Sequence, residues 1–179
     1  MSIWRWLGIE GAARDPGAGK EGEAVRAIVA RLEQLEPERA RHIAAFAYIL
    51  GRVAQVDLEV SEREARAMER ILVTLGGIGP DEAALVVQIA KAQHVLFGAT
   101  ENYVVTRDFG RAASPEEKTA LLECLFAVSA SDEDVSGDEE NEIRKIAREM
   151  DMSHSEFIEA RMKFREHIAA LKGVDRPET

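Results

Sequence analysis

A single cysteine, Cys124, among 179 residues leaves no internal disulfide to expect, and so sparse a use of thiols fits a reducing compartment. Cys124 falls on an apolar stripe, which predicts a buried small hydrophobe, and no partner motif accompanies it for nucleophilic work. Long apolar runs are missing too: nothing approaches the roughly 20 residues of a membrane span. The first apolar segment is short and interrupted by Arg5, which is not the pattern of a secretory signal. Together these absences predict a cytoplasmic protein. Basic excess is also lacking. The chain has 23 Lys and Arg against 33 Asp and Glu, a net charge of −10, and a nucleic-acid partner would need a basic footprint. The glycines of Gly76-Gly77-Ile78-Gly79 are not followed by the Lys-Ser/Thr of a phosphate loop. His42, His94, His154 and His167 are scattered, and none stands in the Glu-x-x-His arrangement of di-iron bundles. Each is expected at the surface or at a helix cap. No catalytic constellation is left, so the expectation is a protein that is not an enzyme.

What is present is a globular composition, 46% hydrophobic and 31% charged, in a chain long enough for one domain with a sizeable core. Apolar residues recur at three- and four-residue steps, the period of a helix face. Val25, Ile28, Val29 and Leu32 mark a first helix, which Glu36-Pro37 interrupts. A second opens at Pro37 and carries Ile43, Phe46, Leu50 and Val53 to about Gln55; a third runs from Ser61 to the Gly76-Gly77 stop. Gly79-Pro80 opens a fourth, and a fifth is expected over Thr100 to Arg111. Ser114-Pro115-Glu116-Glu117, Ser136 and Ser153 with Glu156 are start signals for three more. Nothing reads as a strand. The expectation is an all-α, compact bundle of about seven or eight helices.

The domain organisation follows. Residues 1–21 are expected as a Trp-containing segment and a flexible linker, 22–172 as the helical domain, and 173–179 as a disordered tail. Three readings stand open for the first ten residues, which hold Trp4 and Trp6. They pack against the body or a protein partner, they touch a membrane surface peripherally, or they are disordered.

The most unusual stretch is Ser131 to Glu142, with seven acids and no base. Its skeleton recurs 75 residues upstream: Val53-Ala54-x-x-Asp57-x-Glu59-Val60-Ser61-x-x-Glu64 aligns with Val128-Ser129-x-x-Asp132-x-Asp134-Val135-Ser136-x-x-Glu139. Leu50 aligns with Leu125, Met68 with Ile143 and Ile71 with Ile146. An internal repeat is a strong guide to architecture, and this one predicts a pseudo-two-fold duplication with repeats at about 38–75 and 113–150. Each copy is a helix-turn-helix unit with acids at its turn. Continuing the helical period backwards, Glu64 shares a face with Met68, Ile71 and Leu75, and Glu139 with Ile143, Ile146 and Met150. Both carboxylates are therefore expected to lean toward the core, where a positive charge must neutralise them. Calcium and magnesium take oxygen ligands, so Asp57, Glu59, Glu64, Asp132, Asp134 and Glu139 are candidate ligands of a divalent cation, calcium or magnesium. A second reading needs no ion. Ser61-x-x-Glu64 and Ser136-x-x-Glu139 are capping boxes, and acids suit a helix N-terminus. An EF-hand is excluded, because its positions 8 and 12 fall on Glu139 and Ile143, and on Glu64 and Met68 upstream.

With these residues in place, the chain from about Val25 to Arg165 resembles the TerB-like family, named for bacterial tellurite resistance. The resemblance is carried by Asn102-Tyr103-Val104-Val105-Thr106-Arg107, Ser114-Pro115-Glu116-Glu117-Lys118, Leu121 through Ser136, Ile143 through Ala147, and Ser153-x-x-Glu156-Phe157-Ile158-x-Ala160-Arg161. The family's turn reads Ala-x-Ala-Asp-Gly, whereas this chain has Ser129-Ala130-Ser131-Asp132-Glu133 and Val56-Asp57-Leu58. The resemblance implies two pseudo-symmetric helix sets with carboxylates at their turns. It also implies a metal-linked role with protein partners, in a stress-response complex near the inner membrane. Arg107, in the family's aromatic–Thr-Arg segment, is expected either to pair with an acidic turn or to face a partner.

Overall fold

Proline and serine decide where most of the helices begin. The computed structural model describes residues 2–54, 60–97, 103–130 and 135–174, with side chains as far as Glu166. In chain order the helices are α1 (Ile3–Trp6), α2 (Glu10–Arg14), α3 (Gly19–Glu33), α4 (Pro37–Ala54), α5 (Glu62–Leu75), α6 (Pro80–Lys91), α7 (Gln93–Phe97), α8 (Tyr103–Ala112), α9 (Pro115–Ser129), α10 (Gly137–Glu149) and α11 (His154–Val174). Pro37, Pro80 and Pro115 each sit at the first helical position, where a missing N–H costs nothing and φ is already helical. Ser61, Ser114 and Ser136 cap the helices that follow them, each answered by a Glu three residues on. Eight of these helices have seven or more residues and match the expected ones; no strand occurs among the described residues.

Two helices form the middle of the molecule. On α4 every residue from Ile43 to Leu50 is buried, and on α9 every residue from Leu121 to Ser129. A helix apolar on all sides must be surrounded by others. The surrounding helices are amphipathic. Helix α5 buries Met68 and Leu72, and α10 buries Ile143, Ile146 and Ala147. The packing interleaves the two halves of the chain: α6 lies on α4 and α11 on α9, while α5 packs on α9 and α10 on α4. Cys124 is completely buried on α9, as its stripe position predicts, with its sulfur 3.9 Å from the Ile71 carbonyl oxygen. Burial pushes the thiol pKa far up, with Glu123 adding to the effect, so a thiolate is disfavoured there.

One close approach and one helix stop set the geometry of the α8–α10 end. Gly110 lies against the end of α10, where an added Cβ would fall 2.5 Å from the Met150 Cα and 2.8 Å from its carbonyl oxygen. Just beyond, Asp151 takes a left-handed φ of 60°. Its N–H reaches the Arg148 carbonyl at 3.0 Å, and the Met152 N–H reaches Ala147 at 2.9 Å. This is a Schellman stop, in which a left-handed residue lets the chain turn back and satisfy the last carbonyls.

The N-terminal residues are part of the body. Leu7 and Ile9 are 3% and 4% exposed and belong to the core, and the Trp6 indole donates to Asp108 Oδ2 at 2.9 Å. The stretch expected as a flexible linker contains α2 and the start of α3, with α2 packed on α3 and α7. Helix α11 continues to Val174, two residues past the expected end at Lys172; the rest of the expected tail, residues 175–179, lies outside the described part. The expected start of the fifth helix at Thr100 also lies outside it, and α8 is described from Tyr103.

Candidate functional site

The acidic connections follow α4 and α9. Of the six carboxylates expected as cation ligands, Asp57, Glu59, Asp132 and Asp134 lie outside the described residues. Glu64 and Glu139 are described, and both fold back onto their own helix start. The Ser61 N–H donates to Glu64 Oε2 at 2.9 Å and the Ser61 hydroxyl at 2.6 Å, while the Glu64 N–H donates to Ser61 Oγ at 3.3 Å. Between Ser136 and Glu139 the three corresponding distances are 2.9, 2.7 and 3.2 Å. These bonds hold the Glu64 carboxyl below the usual carboxylate range, the Ser61 hydroxyl contributing most and its N–H next.

The inward lean expected of the two glutamates is corrected at Glu64, which is exposed, while Glu139 is half-buried. The physical reason lies in the first turn. Its N–H groups have no partner within the helix, and they draw the carboxylate back along the axis before any tertiary neighbour can claim it. Periodicity holds from the second turn onward: Ile143, Ile146 and Met150 are all fully buried. In both boxes the capping bonds from the serine converge on Oε2 of the glutamate.

The device is more widespread than the acidic turns. Ser114 with Glu117 and Ser153 with Glu156 make the same reciprocal bonds at the starts of α9 and α11. Neither follows an acid-rich connection. A capping box alone is thus a building element of this chain.

The buried cation near the acidic connections is Arg52, which the sequence reading did not single out. Arg52 occupies the last turn of α4, with a side chain 6% exposed. It donates to Glu142 Oε1 from Nη2 at 2.5 Å and from Nε at 3.0 Å. It also donates to Glu149 Oε2 at 2.6 Å and to the hydroxyl of the buried Thr106 at 3.0 Å. Burial works to lower its pKa, but the hydrogen bonds and charges of Glu149 and Glu142 outweigh that and hold it above the ordinary value. The helix leading into the first acidic connection is thereby fixed to the helix leading out of the second. Glu142 and Glu149 stand seven residues apart, two helical turns on one face of α10, and that spacing was the available signal.

Arg107 makes no ion pair with Glu142 or Glu149 among the described residues. It is exposed, with its guanidinium 5.5 Å from the Tyr103 ring centroid on its own helix. Glu140, also half-buried, accepts from Arg144 on α10 and from Arg161 on α11, each at 3.1 Å. His42 is half-buried within α4 rather than at a helix cap: its ring lies 5.1 Å from that of Phe109 and 6.2 Å from that of Phe46. No group of three or more metal-binding side chains occurs among the described residues, and no helix among them is long and apolar enough to cross a membrane.

A family model described as tellurite resistance protein TerB matches residues 42–162. No curated protein and no solved structure matches the chain.

Proposed function

The chain belongs to the TerB tellurite resistance family, and from that premise we propose a non-enzymatic helical module that binds a divalent cation, calcium or magnesium, at its acidic inter-helix turns. Its ligands are drawn from Asp57, Glu59 and Glu64 at the first turn and from Asp132, Asp134 and Glu139 at the second. Binding equips the module as a partner in a stress-response complex of the tellurite-resistance type.

One observation carries the reading: the two connections are framed alike. Helix α4 ends at Ala54 and α5 begins at Glu62; α9 ends at Ser129 and α10 begins at Gly137, so both bounds move by the same 75 residues. This supports a duplicated helix-turn-helix unit whose acids recur at equivalent places. Capping and cation binding are compatible in principle, because a carboxylate has two oxygens and the serine bonds converge on one of them.

A second reading rests on the two further capping boxes: the acids serve only helix starts and solvation, on a metal-independent scaffold for protein contacts. Thermal unfolding separates the two. At 100 times its dissociation constant a cation adds about 2.7 kcal/mol, roughly 5–10 °C for a chain of this size. Glu139→Gln keeps the capping geometry, since Gln also closes a box, and should reduce the shift while leaving the chelator-treated protein unchanged. An unchanged melting point at millimolar calcium, magnesium and manganese would remove the cation reading and leave the scaffold.

A further inference from the structure

Residues 1–41 lie outside the family match, and part of them walls a cleft of about 830 Å³ between α1, the first half of α4 and the end of α8. That size is ordinary for a ligand site, ~300–1,000 Å³. Aromatic faces line it: Trp6, held by its bond to Asp108, and the packed rings of His42 and Phe109. Most of the charges around them are already committed. Arg39 donates from Nε to Glu82 at 2.7 Å, and Asp108 takes the Trp6 indole with Arg111 3.8 Å away. Arg41 is engaged as well. Two carboxylates are not. Glu36 and Glu38 are exposed at the cleft and have no ion pair among the described residues.

Aromatic faces beside uncommitted carboxylates suit a cation carried on an aliphatic stem, whose methylenes lie on the rings while its head meets the acids. We propose that this cleft binds an arginine or lysine side chain presented by a basic segment of a partner protein. The proposal is independent of the cation reading at the turns, because it uses other residues at another place on the surface.

Trp6 is a built-in reporter. In full-length protein carrying Trp4→Phe, it is the only remaining tryptophan. Its fluorescence is titrated with the peptide acetyl-Ala-Arg-Ala-Arg-Ala-amide, with the same peptide carrying Glu for Arg, and with spermidine. A saturable change with the arginine peptide and none with the glutamate peptide is expected. Glu36→Gln with Glu38→Gln should weaken binding about tenfold in a protein that still folds, its melting point lowered by only a few degrees through the loss of two exposed acids at the start of α4. Equal response to both peptides, no saturable response to the arginine peptide or spermidine, or full binding by the double variant would overturn the proposal. Tighter binding of spermidine than of the peptide would keep the cation chemistry and overturn the protein partner.

Discussion

Replacing Arg52 with methionine removes a guanidinium whose side chain is 6% exposed and strands two carboxylates, Glu142 at 26% and Glu149 at 16% exposure. Breaking a buried ion pair by deleting one partner costs about 3–5 kcal/mol, because the remaining charge stays where water reaches it poorly. Both glutamates here keep some contact with solvent, which moderates that cost to about 2–4 kcal/mol. For a chain of this length the loss corresponds to a drop of roughly 5–15 °C in melting temperature. Much of it should be repulsion and desolvation at the glutamates rather than lost attraction. The triple variant Arg52→Met, Glu142→Gln, Glu149→Gln should therefore recover at least half of the loss. Urea unfolding followed by circular dichroism, on the single, double and triple variants, gives the coupling energy directly. If Arg52→Met unfolds within about 0.5 kcal/mol of the parent, or the three losses simply add, the argument from a shared buried cation is refuted.

Gly110→Ala should destabilise by about 1–3 kcal/mol, because its methyl group would overlap backbone at the end of α10; a neutral result in the same unfolding assay would mean that the two helices separate freely. Asp151→Gly should raise stability by up to about 1 kcal/mol, since glycine adopts the left-handed stop without the Cβ penalty. His42 should impose a pH dependence. Burial lowers its folded pKa below 6.5, Glu117 and Glu82 push it up, and Arg39 pushes it down. As pH falls below about 6.5 the unfolded chain takes up a proton that the folded one still refuses. Stability should therefore decline from there down through the lowered folded value and level off beyond it. His42→Gln should abolish that part of the slope, which a pH series of urea midpoints would detect.

The long helices were legible because their ends carry chemical marks. Pro37, Pro80 and Pro115 open three of them, and Ser61, Ser114, Ser136 and Ser153 open four with or without a proline. Short elements carry no such signal: α1, α2 and α7 have four or five residues each, too few to show a period. Their place comes from tertiary contacts such as the burial of Leu7 and Ile9. The site was half legible. The helix ends that frame the acidic connections, and the capping boxes, could be read from Ser61 with Glu64 and Ser136 with Glu139. The direction of Glu64 was misjudged by extending a helical period into a turn where unpaired N–H groups compete for the side chain. Arg52 escaped notice because its partners lie 90 and 97 residues away; the spacing of Glu142 and Glu149 marks a face of α10 but does not name the cation that meets it. Arg107 drew attention instead, for its place in a recognisable segment, yet it faces outward beside Tyr103.

The crossing of α5 onto α9 and of α10 onto α4 has a mechanical consequence. The chain cannot be opened like a book along its midpoint, because each cover is glued to the opposite page. Loosening either half takes away the support of the other. A substitution that weakens the seat of α5 on α9, or of α10 on α4, is therefore expected to lower the stability of the whole bundle in one transition rather than to melt one half alone.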